Sequence, residues 1–124
     1  MSARRLMAAF AALAVLVGIG ASSVLGAPSQ TQITRVTVKA GVGGALKFSL
    51  SRKTAPAGRV KFVVTNVSTI PHDFKIAGKK TPILSSKGKT ATLIVTLRKG
   101  KPYTYLCTVP GHAAAGMRGT FKAT

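Results

Sequence analysis

The sequence predicts an all-β domain, a sandwich or a barrel, and three observations carry that prediction. Short runs of β-branched and aromatic residues alternate with polar residues at a period of two. Breaks rich in glycine, proline or basic residues separate these runs at short intervals. No amphipathic helix, internal repeat or second domain is visible in the pattern. The chain has 124 residues, enough for one domain.

Met1 to Gly26 reads as a secretory leader. Arg4 and Arg5 form its positive start, Leu6 to Ile19 its apolar stretch, and small residues follow at Gly20, Ala21, Ser22 and Ser23. Cleavage after Gly26 would place Val24 and Gly26 at the recognised positions and leave residues 27–124 as the mature domain. The apolar stretch is short for the ~20 residues of a membrane span. Arg4-Arg5 also hints at a twin-arginine export route.

Ile33 to Lys39 is β-branched and reads as the first strand, with either Ile33 or the pair Val36 and Val38 facing inward. Ala40 to Gly44 is a turn. Its glycines lack the spacing of a phosphate loop, so it reads as a hairpin connection. Leu46 to Ser51 alternates strictly and should turn Leu46, Phe48 and Leu50 toward the core. Arg52 to Gly58 is a loop. Arg59 to Asn66 is the next strand, with Val60, Phe62 and Val64 inward.

Ile70-Pro71 leads into His72, and Phe74 and Ile76 continue the inward side beyond it. Gly78 to Gly88 is a basic loop. Gly88-Lys89-Thr90 mimics the end of a Walker loop, but Ile83 stands where its first glycine belongs. Thr90 to Leu97 is a strand with Ala91, Leu93, Val95 and Leu97 on one face. Arg98 to Pro102 is a basic turn, Tyr103 to Cys107 a strand, and Gly119 to Ala123 the closing strand. Asn66-Val67-Ser68 is formally a glycosylation sequon to which little weight attaches.

Lysine and arginine number 19 against a single carboxylate side chain, Asp73, for a net charge of +18. Loss of the leader removes Arg4 and Arg5 and lowers that by two, to +16. Such a surface favours anionic partners: an acidic protein, a membrane surface or a polyanion. One carboxylate excludes paired acid/base catalysis. One cysteine excludes an internal disulfide and calls for another explanation in an exported chain.

That cysteine opens an uncharged stretch, Cys107 to Met117, which also holds His112, Pro110, Gly111 and Gly116. Four residues separate Cys107 from His112, and four separate His112 from Met117. Thiolate, imidazole and thioether together are soft donors that suit copper, and a blue copper site adds a second imidazole. The only candidate is His72. Taken singly, each has an ordinary alternative: a core thiol, loop histidines, a packing methionine. Together they use every cysteine and histidine in the sequence.

Cys107-x4-His112-x4-Met117, with His72 upstream in Ile70-Pro71-His72-Asp73-Phe74, resembles the cupredoxins, the small blue copper proteins. The spacing is similar to that of auracyanin and rusticyanin and longer than the plastocyanin loop. The resemblance covers roughly residues 33–124. It implies a Greek-key β-sandwich with the metal at one end and one copper per chain. The implied ligands are His72, Cys107, His112 and Met117. By the same resemblance, the backbone N–H of Asp73 donates to the Cys107 sulfur, and Asn66 ties the His72 segment to the Cys107 loop.

The resulting expectation is an extracytoplasmic, monomeric one-electron carrier, in the periplasm, cell envelope or medium, and not an enzyme. Its redox partners would be acidic proteins docking near His112, where Ile70, Pro71, Pro110, Gly111 and Ala113 to Ala115 are small or apolar. Association with a membrane surface is a further expectation from the charge. Two alternatives stay open: a copper storage or delivery protein with the same ligands, and a basic β-domain that binds polyanions. The second lacks a row of stacking aromatics, and no nucleic-acid partner is expected. A Cys107–His112 hydrolase lacks an evident third group to orient the base.

Overall fold

Alternating side chains commit each strand to one buried face, and the strands then pair into two sheets that cover each other's apolar sides. The computed structural model describes residues 32–124 and a few single positions before them (14, 15, 18, 20, 21 and 26). The expected leader, 1–26, lies otherwise outside the described residues. The strands are β1 (Thr34–Ala40), β2 (Phe48–Leu50), β3 (Thr54–Ala55), β4 (Gly58–Asn66), β5 (Lys75–Ile76), β6 (Lys79–Lys80), β7 (Thr90–Leu97), β8 (Pro102–Leu106) and β9 (Arg118–Ala123).

One sheet has the order β2-β1-β4-β7 and the other β3-β9-β8-β5-β6. The chain keeps changing sheets as it advances, as a Greek-key sandwich requires. Both sheets are mixed: β1 runs parallel to β4 and β3 parallel to β9, and the other pairs are antiparallel. The β1–β2 connection is the hairpin read from the glycines, tightened by a short 3-10 turn at Val42–Gly44.

The core follows the alternation. Val36, Val38 and Ala40 of β1 are buried while Ile33 is 37% exposed, which resolves the first strand's register in favour of Val36 and Val38. Val60 pairs with Val95 and Phe62 with Leu93 across β4 and β7, and Val64 and Leu97 are buried with them. The second sheet adds Phe74, Ile76, Tyr105 and Phe121. A chain of ring contacts runs along the interior: Phe121 to Phe62 at 5.2 Å, Phe62 to Phe74 at 5.3 Å, and Phe74 to Phe48 at 5.2 Å. Fully burying each such side chain contributes about 1.5–3 kcal/mol.

Three details differ from the sequence reading. The second strand is shorter than Leu46 to Ser51, and Leu46, Phe48 and Leu50 are half-buried because β2 is an edge strand. The Arg52 to Gly58 loop contains β3, a two-residue strand beside β9. The basic loop contains β6, which pairs with β5 in a tight hairpin. These pieces are too short for a period of two to show.

The β5–β6 turn is Ala77-Gly78, with φ of +50° and +74°. Positive φ at both central residues is the pattern of a type I′ turn. Gly78 adopts it freely, but the alanine Cβ crowds its own backbone there. Ala77→Gly should therefore stabilise the protein by about 0.5–1 kcal/mol, measured as a higher denaturant midpoint with an unchanged slope.

Candidate metal centre

The strand ends and two connecting segments meet at the end of the sandwich where β4 and β8 finish. The first segment, Asn66 to Phe74, is organised by a buried amide. Asn66 Nδ2 donates to the carbonyls of Ile70 and Leu84, each at 2.8 Å. Its Oδ1 accepts from Ser68 N at 2.9 Å and lies 3.1 Å from Ser68 Oγ. The main chain of His72 exchanges two hydrogen bonds with Leu84, N to O at 3.2 Å and O to N at 2.7 Å. His72 is thereby held by its backbone as well as its ring.

The ring is fixed on its far side. Ser68 Oγ lies 2.9 Å from His72 Nε2. With the proton on Nε2 donated to Ser68 Oγ, the lone pair of Nδ1 is free for a metal. Gly41 packs against this pair. A Cβ there would come within 2.5 Å of Ser68 Oγ and 2.8 Å of His72 Nε2, and its φ of +83° itself favours glycine.

The second segment is the loop after β8. Cys107 N donates to Met117 O at 3.1 Å, Met117 N to His112 O at 3.0 Å, and His112 N to Val109 O at 3.1 Å. The loop therefore doubles back on itself, and its tip is a turn closed by Ala115 N to Gly111 O and Gly116 N to Ala113 O. Cys107 and Met117 end as neighbours, both buried and packed with Ala40. Leu46, Phe48 and Val109 flank them.

The two segments bring three donors together. His72 Nδ1 lies 3.3 Å from His112 Nδ1, and Cys107 Sγ lies 3.5 Å from His112 Nδ1. All three donor atoms are within 4.8 Å of one another. Donors bound to one transition-metal ion at roughly 2.0–2.3 Å stand about 3.3–3.7 Å apart in trigonal or tetrahedral geometry. The spacing thus suits a single ion, and two imidazoles, a thiol and a nearby thioether suit copper. His72 and Cys107 are buried and His112 is half-buried.

Asp73 clamps the segments to each other. Its carboxylate accepts from Thr108 N at 2.6 Å and from Thr108 Oγ1. The expectation for Asn66 is corrected here. Asn66 braces the His72 segment against Leu84 and its own turn, and the link to the Cys107 loop falls to the Asp73 side chain. The reason is reach: Asn66 sits at the end of β4, beneath Ile70, whereas Asp73 is next to Thr108. Asn66 is also fully buried, which leaves the formal sequon inaccessible in the folded domain. Because Asp73 is engaged with Thr108, it does not orient His112 as the third member of a hydrolytic triad would.

Electrostatics follow from burial. Burial pushes His72 below the ordinary imidazole range; the neighbouring His112 adds to this and the Asp73 charge opposes it. Burial pushes the Cys107 thiol up, against the pull of backbone N–H groups of Asp73 and Val109 aimed at the sulfur; the Asp73 carboxylate pushes it up further. The Asp73 N–H contact is the one expected from the sequence. Ser68 and Gly41 were not singled out beforehand, and only their closeness to His72 in space reveals their part.

Comparison with known proteins agrees with this geometry. Residues 34–124 match the family model described as copper binding proteins, plastocyanin/azurin family. No curated protein sequence matches the chain. Among solved structures, reduced auracyanin from Roseiflexus castenholzii superposes with a TM-score of 0.62 at 20% identity, over 78% of this chain and 99% of that one. Auracyanin A from Chloroflexus aurantiacus, a blue copper protein, gives 0.60 at 19% identity, over 75% and 100%. Rusticyanin from Thiobacillus ferrooxidans gives 0.61 at 23% identity, over 74% and 77%.

Two predictions follow from the bonds and charges just described. Asp73→Ala leaves Thr108 N without its acceptor and should cost the metal-free protein about 2 kcal/mol in chemical denaturation, with Asp73→Asn costing less. The pH dependence has two edges. The folded His72 binds its proton less readily than an unfolded one, so metal-free stability is complete above the ordinary value of 6.5 and falls as pH drops below it. The folded Cys107 releases its proton less readily, so its contribution is complete below 9.0 and is lost at higher pH. A thermal melt of the metal-free protein across pH 4–11 (about a unit beyond the titrating range at either side) should show its highest midpoint between those two values.

Proposed function

The chain belongs to the plastocyanin/azurin family of copper-binding proteins, and on that premise we propose that it is an exported, type 1 copper carrier of single electrons. The observation that carries this reading is the convergence of His72 Nδ1, His112 Nδ1 and Cys107 Sγ at single-ion spacing. In this reading those atoms would hold the copper, with the Met117 thioether as a further, weaker donor. Bound copper would supply the chemistry, one electron gained or lost between Cu(II) and Cu(I).

The protein's own part is to hold its donors still. Ser68 fixes the His72 ring, Leu84 fixes its backbone, and Asp73 fixes the spacing between the two ligand segments. Buried ligands exclude water from three sides. Little rearrangement on electron transfer is what such a frame supports.

His112 is the half-exposed ligand, with Nδ1 turned toward the cluster. Around it Ile70, Pro71, Pro110, Gly111, Ala114 and Ala115 are exposed and uncharged. In this reading a redox partner docks there briefly, over a small apolar patch, as weak redox encounters do. An acidic partner would be drawn in by the excess of lysine and arginine.

Addition of one equivalent of Cu(II) to the metal-free protein should produce an intense visible thiolate-to-copper band, and ascorbate should bleach it reversibly. Cys107→Ser should bind copper without that band. A store or delivery protein would instead lose its Cu(I) readily to a competing chelator. A colourless copper adduct of the unaltered chain would remove Cys107 as a ligand and with it this function.

A further inference from the structure

The two ends of the sandwich carry their cations differently. At the donor end, the ligand-bearing segments Val67 to Phe74 and Thr108 to Met117 contain no lysine or arginine, and the cations there, Lys47, Lys87, Lys89 and Arg118, are spread over the neighbouring loops. The opposite end is identified by register, where Gly58 pairs with Leu97, Pro102 with Lys122, and Thr54 with Lys122. Its loops carry Arg52 and Lys53 before β3, and Arg98, Lys99 and Lys101 in the β7–β8 turn. All of these are exposed. The loops adjoin each other: Lys122 N donates to Lys53 O at 3.0 Å and Gly100 N to Ala123 O at 2.8 Å. Arg59, which pairs with Thr96 one residue inside the same edge, extends the cluster.

No acidic side chain lies at that end. Asp73, the sole acidic side chain, is buried at the donor end. Nine residues of β4 separate the ends, roughly 26 Å at 3.3 Å per residue. This exceeds the ~10 Å screening length of ordinary buffers. The basic end therefore acts on its own neighbourhood and leaves the His112 surface free.

The chain also enters the described domain at this end. Gln32 and Ile33 line an open groove of about 380 Å³ together with Arg35, Arg52 and Pro56. The apolar stretch Leu6 to Ile19 lies a short way upstream in sequence. A leader engaged with a bilayer would present the domain to that bilayer with the basic end first.

We propose that the end opposite the donors is a docking surface for a phospholipid bilayer bearing anionic headgroups. Arg52, Lys53, Arg98, Lys99 and Lys101 are its contact residues. Guanidinium groups pair with phosphate in a fixed fork, and lysines add point charge. A protein held this way keeps the His112 end facing away from the lipid, so membrane residence and partner docking occur together. The surface rests on the charge map and not on copper, so it stands or falls separately from the redox reading.

The test is co-sedimentation of the full chain with vesicles of phosphatidylcholine and phosphatidylglycerol, 3:1, compared with phosphatidylcholine alone, at low and physiological salt. Each basic residue near an anionic surface contributes about fivefold in affinity. Replacing Arg98, Lys99 and Lys101 by glutamine should weaken binding to the anionic vesicles on the order of 100-fold. Replacing Lys75, Lys79 and Lys80 by glutamine removes the same charge from the β5–β6 hairpin and should weaken it several-fold less. Equal losses in both triple variants would overturn the proposal in favour of net charge alone. Salt-independent binding, or equal binding to the neutral vesicles, would overturn it in favour of the apolar leader. Thermal melts of both variants check that each remains folded.

Discussion

The carboxylate of Asp73 joins two pieces of chain just beyond the point where β5 and β8 pair, Lys75 beside Leu106. On one side is the His72 turn, hung from the end of β4; on the other is the Cys107 loop, hung from the end of β8 in the opposite sheet. Sheet-to-sheet packing alone holds its parts by apolar contact, which has no direction. The β5–β8 pairing and the paired bonds from Thr108 to Asp73 supply the direction. They set the separation between one imidazole and the thiol, and so decide whether three donors share one ion or merely lie near each other. In a chain with a single acidic side chain, that group is used inside the protein and not on its surface.

The remaining bonds at that end form one continuous support. Asn66 holds Ile70 and Leu84, Ser68 holds His72, and Gly41 leaves room for both side chains. Among the described residues no buried side-chain nitrogen or oxygen is left without a partner. Buried networks that are fully satisfied are stiff, because moving any member leaves another unpaired. Stiffness at this end is the property an electron carrier needs. The electrostatic map is simple for the same reason: the anionic group is inside, and the cations are outside.

Most of the fold and the donor set could be read in the sequence, for identifiable reasons. Residues such as Val60, Phe62 and Val64 alternate over a strand long enough for the period to be unmistakable. Cys107, His112 and Met117 lie on one loop, so their spacing carries their geometry directly. His72 was found by elimination, as the only other histidine. What was missed depends on contacts between distant residues. Ser68 looks like any turn serine until the structure places it 2.9 Å from His72 Nε2. Gly41 looks like one of several hairpin glycines until the same fold presses it against that pair. Strands β3 and β6 have two residues each, and no periodicity exists in two residues. Asn66 was connected to the wrong segment because a position matched by resemblance does not say which neighbour its amide reaches.

The parallel partners of this sandwich have a consequence for its biogenesis. β1 meets β4 with Thr34 beside Val60, and β3 meets β9 with Thr54 beside Lys122. Neither pair can form by a local hairpin, and the second spans most of the domain. Domains built on such distant pairings fold slowly, because the chain must close large loops before any pairing rewards it. β9 is the last strand to emerge in synthesis, and without it β3 and β8 are both left with unpaired edges. A nascent chain of this protein therefore remains unfolded until its final strand has appeared. The donor cluster, whose second segment runs into that strand, is therefore assembled only once β9 has been made.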